Sequence, residues 1–396
     1  MTFLKRSAFL FILLGIGHGV ADMYASFLPS LGTIITDKLA LSMTAWGFVV
    51  GLSTFSTSFL QIFFGLISDR MQKPWLIIFG PVLAGIFLSA IGLASSYLVL
   101  VLLVFTGGCG VAAFHPQAAS IAGQIRSREQ GLGMAVFVMG GSIGVALPPL
   151  MVMPVYLHLG PEWTWMFCLI GVGFALFLYR MRSRMALPDS AATEIFSPKT
   201  HVTDLTEFRL LVILSILRNI CIVSLSAFVP IYMKKQAASH LASVGMISIM
   251  QLSGTVGGLI FGYFSDRIGK STVVLVSQVV SVPLFFLWFF SSGITSMIFY
   301  GAASFFFLST LAVVILMIQE TRPRSTGFAS SLAMGFSWSV GGLFTFLFGY
   351  LADAKGLETV LQVIILLPAL SSIPAFLVWG RRRGKAEKRR RVTSEG

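Results

Sequence analysis

Apolar residues run through this chain in stretches of about twenty or more, without two-residue alternation, and short polar segments separate them. A hydrocarbon core of about 30 Å needs roughly 20 apolar residues in a helix, which closes its backbone hydrogen bonds within the segment. The pattern predicts twelve membrane-spanning helices near 7–35, 43–67, 75–94, 97–122, 131–155, 162–181, 208–233, 242–264, 271–291, 294–319, 325–351 and 357–379. The missing alternation excludes a transmembrane barrel, leaving an all-α membrane protein. The first run follows Lys5-Arg6 as a signal peptide would, but it is too long for an h-region and lacks a small-residue cleavage site, so it counts as a span.

A long polar interval, 182–207, carries two prolines and splits six predicted helices from six. It predicts an N-terminal six-helix bundle over 1–181, a cytoplasmic linker over 182–207, a C-terminal bundle over 208–380 and a basic tail over 381–396. The two halves repeat. G-L-I-S-D-R at Gly65 to Arg70 returns 197 residues later as G-Y-F-S-D-R at Gly262 to Arg267, and R-S-R-E-Q-G from Arg126 is echoed by R-P-R-S-T-G from Arg322.

Composition agrees: 56% of residues are hydrophobic and 11% charged, with mean hydropathy +0.88, outside the range of a soluble domain. The net charge of +13 raises the question of nucleic acid, but its placement answers it. Twenty-three Lys and Arg fall on the side of the termini and the even-numbered loops, against Lys38, Lys234, Lys235 and Lys355 opposite. That asymmetry predicts cytoplasmic termini, with the tail R-R-R-G-K-A-E-K-R-R-R lying against anionic lipid. Cys109, Cys168 and Cys221 lie inside predicted helices without metal or disulfide spacing and read as free thiols.

Polar residues inside the spans carry the candidate chemistry. His18 and Asp22 are four apart and share a helical face. A carboxylate in a span costs roughly 3 kcal/mol or more and turns to the bundle interior or a wet cavity, where it suits reversible proton transfer. In the seventh span Arg218 precedes Asn219, which lies one repeat interval after Asp22 and so at equivalent depth. Arg218 is expected to pair with Asp22, to bind an anionic substrate group, or to alternate between them. In the fourth span His115 and Gln117 bracket Pro116, which loosens the helix at their level. Tyr24, Phe336 and Trp338 are aromatic candidates for the same cavity, and Gln61, Gln251 and Gln319 read as interhelical hydrogen-bond partners. In the fifth span Gly140, Gly141 and Gly144 predict close helix packing, and Pro148-Pro149 a bend. In the loops, Gly65 and Gly262 are expected to permit close helix approach. Asp69, Arg70, Lys73, Arg126 and Arg128, with Asp266, Arg267 and Lys270 in the second copy, are expected to form breakable cytoplasmic latches.

The twice-repeated loop resembles the signature G-x-x-x-D-R-x-G-R-K of the major facilitator superfamily. Gly65, Asp69, Arg70 and Lys73 match it in the first copy, where Met71-Gln72 replace the glycine region, and Gly262, Asp266, Arg267, Gly269 and Lys270 match it in the second. His18-x-x-x-Asp22, Phe114-His115-Pro116 and the glycine-proline pattern from Gly140 to Leu150 are similar to the fosmidomycin-resistance branch. There Gln117 replaces an expected acid, and Pro148 stands in place of a glycine. The resemblance implies twelve spans in two pseudo-symmetric bundles, a latch that braces the outward-facing state, and proton-coupled export from a bacterial inner membrane. Asp22 and His18 would carry protons; Arg218, Asn219, His115, Gln117 and Tyr24 would bind a small organic, anionic or drug-like compound. The expected partners are substrate, protons and lipid around a monomer, with no cofactor and no nucleic acid. Import or uniport of organic anions uses the same parts, and His18, Asp22 and His115 alternatively suggest a metal-ion carrier. No paired catalytic acids, activated nucleophile or phosphate loop marks an enzyme.

Overall fold

A computed structural model describes residues 3–68, 70–71, 73–125, 130–182, 204–321 and 335–394, and every regular element among them is helical. We number the long helices α1 (Ala8–Ala25), α2 (Met43–Ser68), α3 (Trp75–Leu93), α4 (Tyr97–Ala122), α5 (Val136–Leu159), α6 (Pro161–Met181), α7 (Leu205–Lys235), α8 (His240–Ile268), α9 (Lys270–Phe289), α10 (Gly293–Thr321), α11 (Ser337–Lys355) and α12 (Leu357–Lys385). All but α11 are long and apolar enough to cross a membrane by length and composition. The expected eleventh span begins at 325, and its stretch 325–334 lies outside the described residues.

Several helices depart from the even cylinders expected, each at an identifiable cause. The first does not run unbroken to 35: it ends at Ala25 and continues as the short helices Phe27–Ser30 and Gly32–Lys38. Pro29 lacks an N–H for the helix ladder, and at Gly32 a Cβ would lie 2.7 Å from the Trp46 ring. A π turn at Phe55–Phe59 interrupts α2. Pro148 and Pro149 restart α5 after Ala146, as expected. In α10 the interruption falls at Ser309 and Thr310.

The last helix, Leu367–Ser394, carries straight into the basic tail. The expected lipid-facing role is corrected for three of the tail's charges, because Arg381, Arg382 and Lys385 turn to acids of their own chain. Lys385 Nζ lies 2.7 Å from Asp204 Oδ2, Arg381 reaches the same oxygen at 3.1 Å, and Arg382 bridges Glu207 and Glu320 at 2.7 and 3.0 Å. Hydrogen bonds from Lys385 and from the Glu207 N–H hold the Asp204 carboxyl well below the usual carboxylate range. A depressed value means that the clamp's contribution is fully present above the unfolded carboxylate value, near pH 4, and is lost as pH falls from there through the lower folded value. A spin label at Gly384, where a Cβ meets no atom within 4 Å, is expected to gain mobility in Asp204→Ala, in high salt and on acidification through that range.

By packing, the chain forms two compact units that cut across the linker. The first comprises Met1–Thr193, Ser224–Leu252 and Gly342–Val360; the second comprises Glu194–Val223, Ser253–Gly341 and Leu361–Gly396. In the first, Leu14, Ile77, Phe114, Phe137 and Leu178 form a buried core. In the second, Leu214, Val274, Val314, Met317 and Val378 do so. Lipid tails are as apolar as leucine, so shape and backbone approach rather than exclusion from water must hold such helices together. The α1–α5 seam shows how. A Cβ on Gly140 would lie 2.0 Å from the Gly15 carbonyl oxygen, and one on Gly144 2.2 Å from that of Gly19. Two glycines on each helix thus bring the backbones into contact.

Candidate functional site

The α1–α5 seam fixes the site because His18 and Asp22 sit on the same stretch of α1. Asp22 is held between two imidazoles: His18 Nε2 lies 3.2 Å from its Oδ2, and His115 Nε2, from α4, lies 3.1 Å from its Oδ1. The His18 ring stacks on Phe137 of α5 with centroids 4.4 Å apart, and its Nδ1 is 2.9 Å from the Phe137 carbonyl oxygen. Side-chain exposures of 14% for His18, 15% for His115 and 21% for Asp22 leave the cluster open at one edge.

The hydrogen bonds constrain where protons lie. A carbonyl oxygen only accepts, so His18 must carry a proton on Nδ1 to make its bond to Phe137. The Nε2 to Oδ2 contact then requires one further proton, carried either by the imidazole as an ion pair or by the carboxyl as a neutral pair. His115 Nε2 lies at hydrogen-bond distance from the other oxygen. His18 Nε2 and Asp22 Oδ2 are thus placed to share a proton. Removing it leaves an imidazole lone pair facing a carboxylate.

Gly141 forms the floor of this site. A Cβ there would lie 2.6 Å from Asp22 Oδ2 and 2.7 Å from His18 Nε2. The sequence marks Gly141 as a packing glycine only, and gives Phe137 no role. The signal for Phe137 is its position one helical turn before Gly141, on the face that meets α1.

Two expected ligand-binding residues serve the scaffold instead. Tyr24 is fully buried; its hydroxyl donates to the Phe167 carbonyl at 2.6 Å and accepts from the Gly171 N–H at 2.8 Å, joining α1 to α6. Gln117 is also fully buried. It accepts from the Ile77 N–H at 3.1 Å and donates to the Lys73 carbonyl at 3.4 Å, closing the first turn of α3. Both side chains have spent their polar atoms on backbone.

In the other unit, Arg218 is fully buried rather than open to a wet chamber. Its Nη1 donates to Thr310 Oγ1 at 2.7 Å and its Nη2 to the Phe307 carbonyl at 2.6 Å, both at the interruption of α10. Ser277 lies 2.9 Å from Thr310, and Ser371 donates to Gln278 at 2.6 Å, so polar groups of α7, α9, α10 and α12 line one interior. Among the described residues no carboxylate completes the pair with the guanidinium, and Arg218 Nε and both polar atoms of Asn219 have no hydrogen-bond partner. Each unit therefore satisfies its charged residue internally, Asp22 by imidazoles and Arg218 by neutral oxygens.

The loop motifs are only partly within view. Asp69, Arg126 and Arg128 lie outside the described residues. Arg70, Lys73, Asp266 and Arg267 are exposed, with Arg267 4.3 Å above the Tyr263 ring, and Lys270 pairs with Glu320. Among the described residues a Cβ on Gly65 would find Pro116 at 3.7 Å, and one on Gly262 nothing within 4 Å. Gln61 bonds back to the Thr57 carbonyl of its own helix, and Phe336 is exposed and Trp338 half-buried on α11 or beside it.

His18, Asp22 and His115 also form a two-His-one-carboxylate set, with donor atoms within 4.8 Å of one another. Each oxygen of Asp22 already holds an imidazole at hydrogen-bond distance, which gives the cluster a complete description without an ion.

Comparison with known proteins agrees with this architecture. A bacterial homologue of the human lysosomal transporter Spinster, in an inward-facing and occupied conformation, superposes with TM-score 0.72 at 15% identity, covering 93% of this chain and 96% of that one. The nucleoside transporter NupG does so with TM-score 0.66 at 16% identity, over 96% and 99%. The uncharacterized MFS-type transporter YfnC of Bacillus subtilis is 24% identical over 93% of this chain and 92% of its own. The fosmidomycin resistance protein of Escherichia coli is 23% identical over 92% and 91%. The profile of the Major Facilitator Superfamily matches residues 8–345, and with the helical fold this makes the protein a multi-pass membrane transporter, not an enzyme: the chain belongs to the Major Facilitator Superfamily.

Proposed function

We propose that this transporter is a proton-coupled exporter, an antiporter, of a small organic compound that is anionic or drug-like. The observation that carries the reading is the Asp22 carboxylate held between His18 and His115, an arrangement suited to taking up and releasing a proton. A proton entering from outside neutralises the cluster's negative form and restores the His18–Asp22 bond; its release toward the cytoplasm breaks that bond again. Because α1, α4 and α5 all contribute, the proton's arrival changes how three helices hold one another. Each ligand must prefer one state for the exchange to be driven.

Arg218, Asn219 and His115 are the substrate-facing groups of this proposal. A buried guanidinium beside neutral oxygens only, next to an amide with no partner, gains most from an anion. Reaching it requires the α10 interruption at Ser309 and Thr310 to open. The resemblance to a fosmidomycin resistance protein favours export, and fosmidomycin is the first compound to try. We place the chain in a bacterial inner membrane as a monomer with twelve spans in two six-helix bundles, 1–181 and 208–380. Both termini are cytoplasmic, joined to the bundles' inner side with the linker 182–207.

In proteoliposomes with an imposed proton gradient, Asp22→Asn is expected to abolish gradient-driven uptake of fosmidomycin while counterflow exchange persists. Undiminished gradient-driven transport in that variant removes Asp22 from the mechanism. Gradient-independent transport by the wild type would instead indicate a uniporter. Metal analysis of the purified protein separates the remaining reading, a metal-ion carrier: stoichiometric transition metal lost together with transport in His115→Ala would favour it.

A further inference from the structure

At the end of α2 opposite the Gly65 motif, a carboxylate from another helix closes the first turn. Asp353, near the C-terminal end of α11, accepts from the Met43 N–H at 2.8 Å through Oδ1 and from the Thr44 N–H at 2.8 Å through Oδ2, and the Thr44 hydroxyl donates to Oδ2 as well. The first N–H groups of a helix have no partner within it and carry its positive dipole end, so an anion there is doubly favoured. Below this cap the two helices are zipped. Thr345 donates to the Gly47 carbonyl at 2.9 Å. A Cβ on Gly47 would stand 2.2 Å from the Thr345 carbonyl oxygen, one on Gly51 2.6 Å from that of Gly342, and one on Gly349 2.1 Å from that of Met43.

Beyond the zipped half the helix is interrupted by the π turn Phe55–Phe59. A packed end followed by a hinge-like turn in one helix describes an element whose packed end can swing away from its neighbour. The contact at the packed end is also of a reversible kind. Asp353 is exposed and its bonds to α2 are all hydrogen bonds, so water can take their place when the helices part.

We propose that Asp353 is a gating residue: its carboxylate latches α11 to the N-terminus of α2 at the non-cytoplasmic face, and breaking this cap licenses opening on that side. It is the counterpart, on the opposite face, of the cytoplasmic latch expected of Asp69. The proposal rests on the membrane orientation given above but not on the proton or substrate assignments.

The test is a distance measurement that needs neither gradient nor substrate. Spin labels are placed at Leu41→Cys and Glu358→Cys in nanodiscs, with Cys109, Cys168 and Cys221 replaced by alanine. The otherwise unaltered protein is expected to give one short, narrow distance. Asp353→Asn, which keeps the size but loses the charge and one of the two N–H acceptors, is expected to add a longer component. Its population relative to the short one should rise roughly threefold to thirtyfold, the range of a lost helix cap. Asp353→Glu should restore the short distance, and Gly47→Ala should move the distribution the same way as Asp353→Asn by forcing the zipper apart. An unaltered distribution in Asp353→Asn overturns the proposal. So does a lowered melting temperature with unaltered distances in Gly47→Ala, because that marks permanent packing rather than a gate.

Discussion

Gly141→Ala is expected to fold and reach the membrane normally, yet to lose proton-driven transport by about tenfold or more, the scale of a misplaced reacting group. The added Cβ would lie 2.6 Å from Asp22 Oδ2 and 2.7 Å from His18 Cε1 and Nε2. These are the ends of side chains, so the fold can yield by turning them away. Doing so breaks the Nε2 to Oδ2 contact that is placed to share a proton. Gly144→Ala is the contrasting variant. Its Cβ meets the backbone of Gly19, at 2.2 Å from the carbonyl oxygen, and nothing there can turn aside. Gly144→Ala should therefore cost yield and melting temperature, where Gly141→Ala costs only coupling. Comparing melting temperature with gradient-driven flux for the pair checks both; equal loss of stability would show that Gly141 serves packing alone.

Arg218→Met should make the protein more stable and inactive. The guanidinium is fully buried, with its hydrogen bonds going to Thr310 Oγ1 and the Phe307 carbonyl and no carboxylate opposite among the described residues. Keeping a charge in such surroundings costs several kcal/mol, which neutral acceptors return only in part. An apolar side chain of similar length removes that cost, and exchanges of this kind are neutral or stabilising by about 1–4 kcal/mol. The gain is reduced by the unpaired Thr310 hydroxyl, which can still turn to Ser277, 2.9 Å away. A residue retained against stability is retained for function. Transport of an anion should accordingly be lost, while proton uptake by the Asp22 cluster persists, as followed with a pH-sensitive dye inside the vesicles. A drop in melting temperature would instead assign Arg218 to the structure of the α10 interruption.

These residues also show how far a sequence carries. His18 and Asp22 were legible as a pair because spacing on a helix fixes a shared face, and an acid in an apolar run demands a partner. His115 was visible as an intramembrane imidazole beside a proline, but its partner was not, since α1 and α4 are brought together by packing. Equal depth in a repeat makes Arg218 a candidate partner of Asp22, beside binding an anionic substrate group or alternating between the two. Depth says nothing of which way a side chain turns, and the guanidinium turns to Thr310 and Phe307. Gln117 and Tyr24 were read as ligand-binding because they are polar in an apolar span. Buried backbone groups need partners as much as ligands do, and sequence does not show which carbonyls and N–H groups lie nearby. The basic tail follows the same rule, its charges meeting Asp204, Glu207 and Glu320 from segments more than sixty residues away.

By itself the amino-acid order determined that this chain is helical and membrane-embedded, that it repeats, and which family it resembles, because run length, charge asymmetry and motif interval are properties of local sequence. It also named Asp22, the acid on which the proposed proton chemistry turns. Only the tertiary structure decided that two imidazoles rather than a guanidinium hold that acid, that a glycine forms its floor, and that Asp353 caps a helix some three hundred residues earlier. Each of those contacts joins distant segments, and side-chain direction at such meetings is set by how backbones pack.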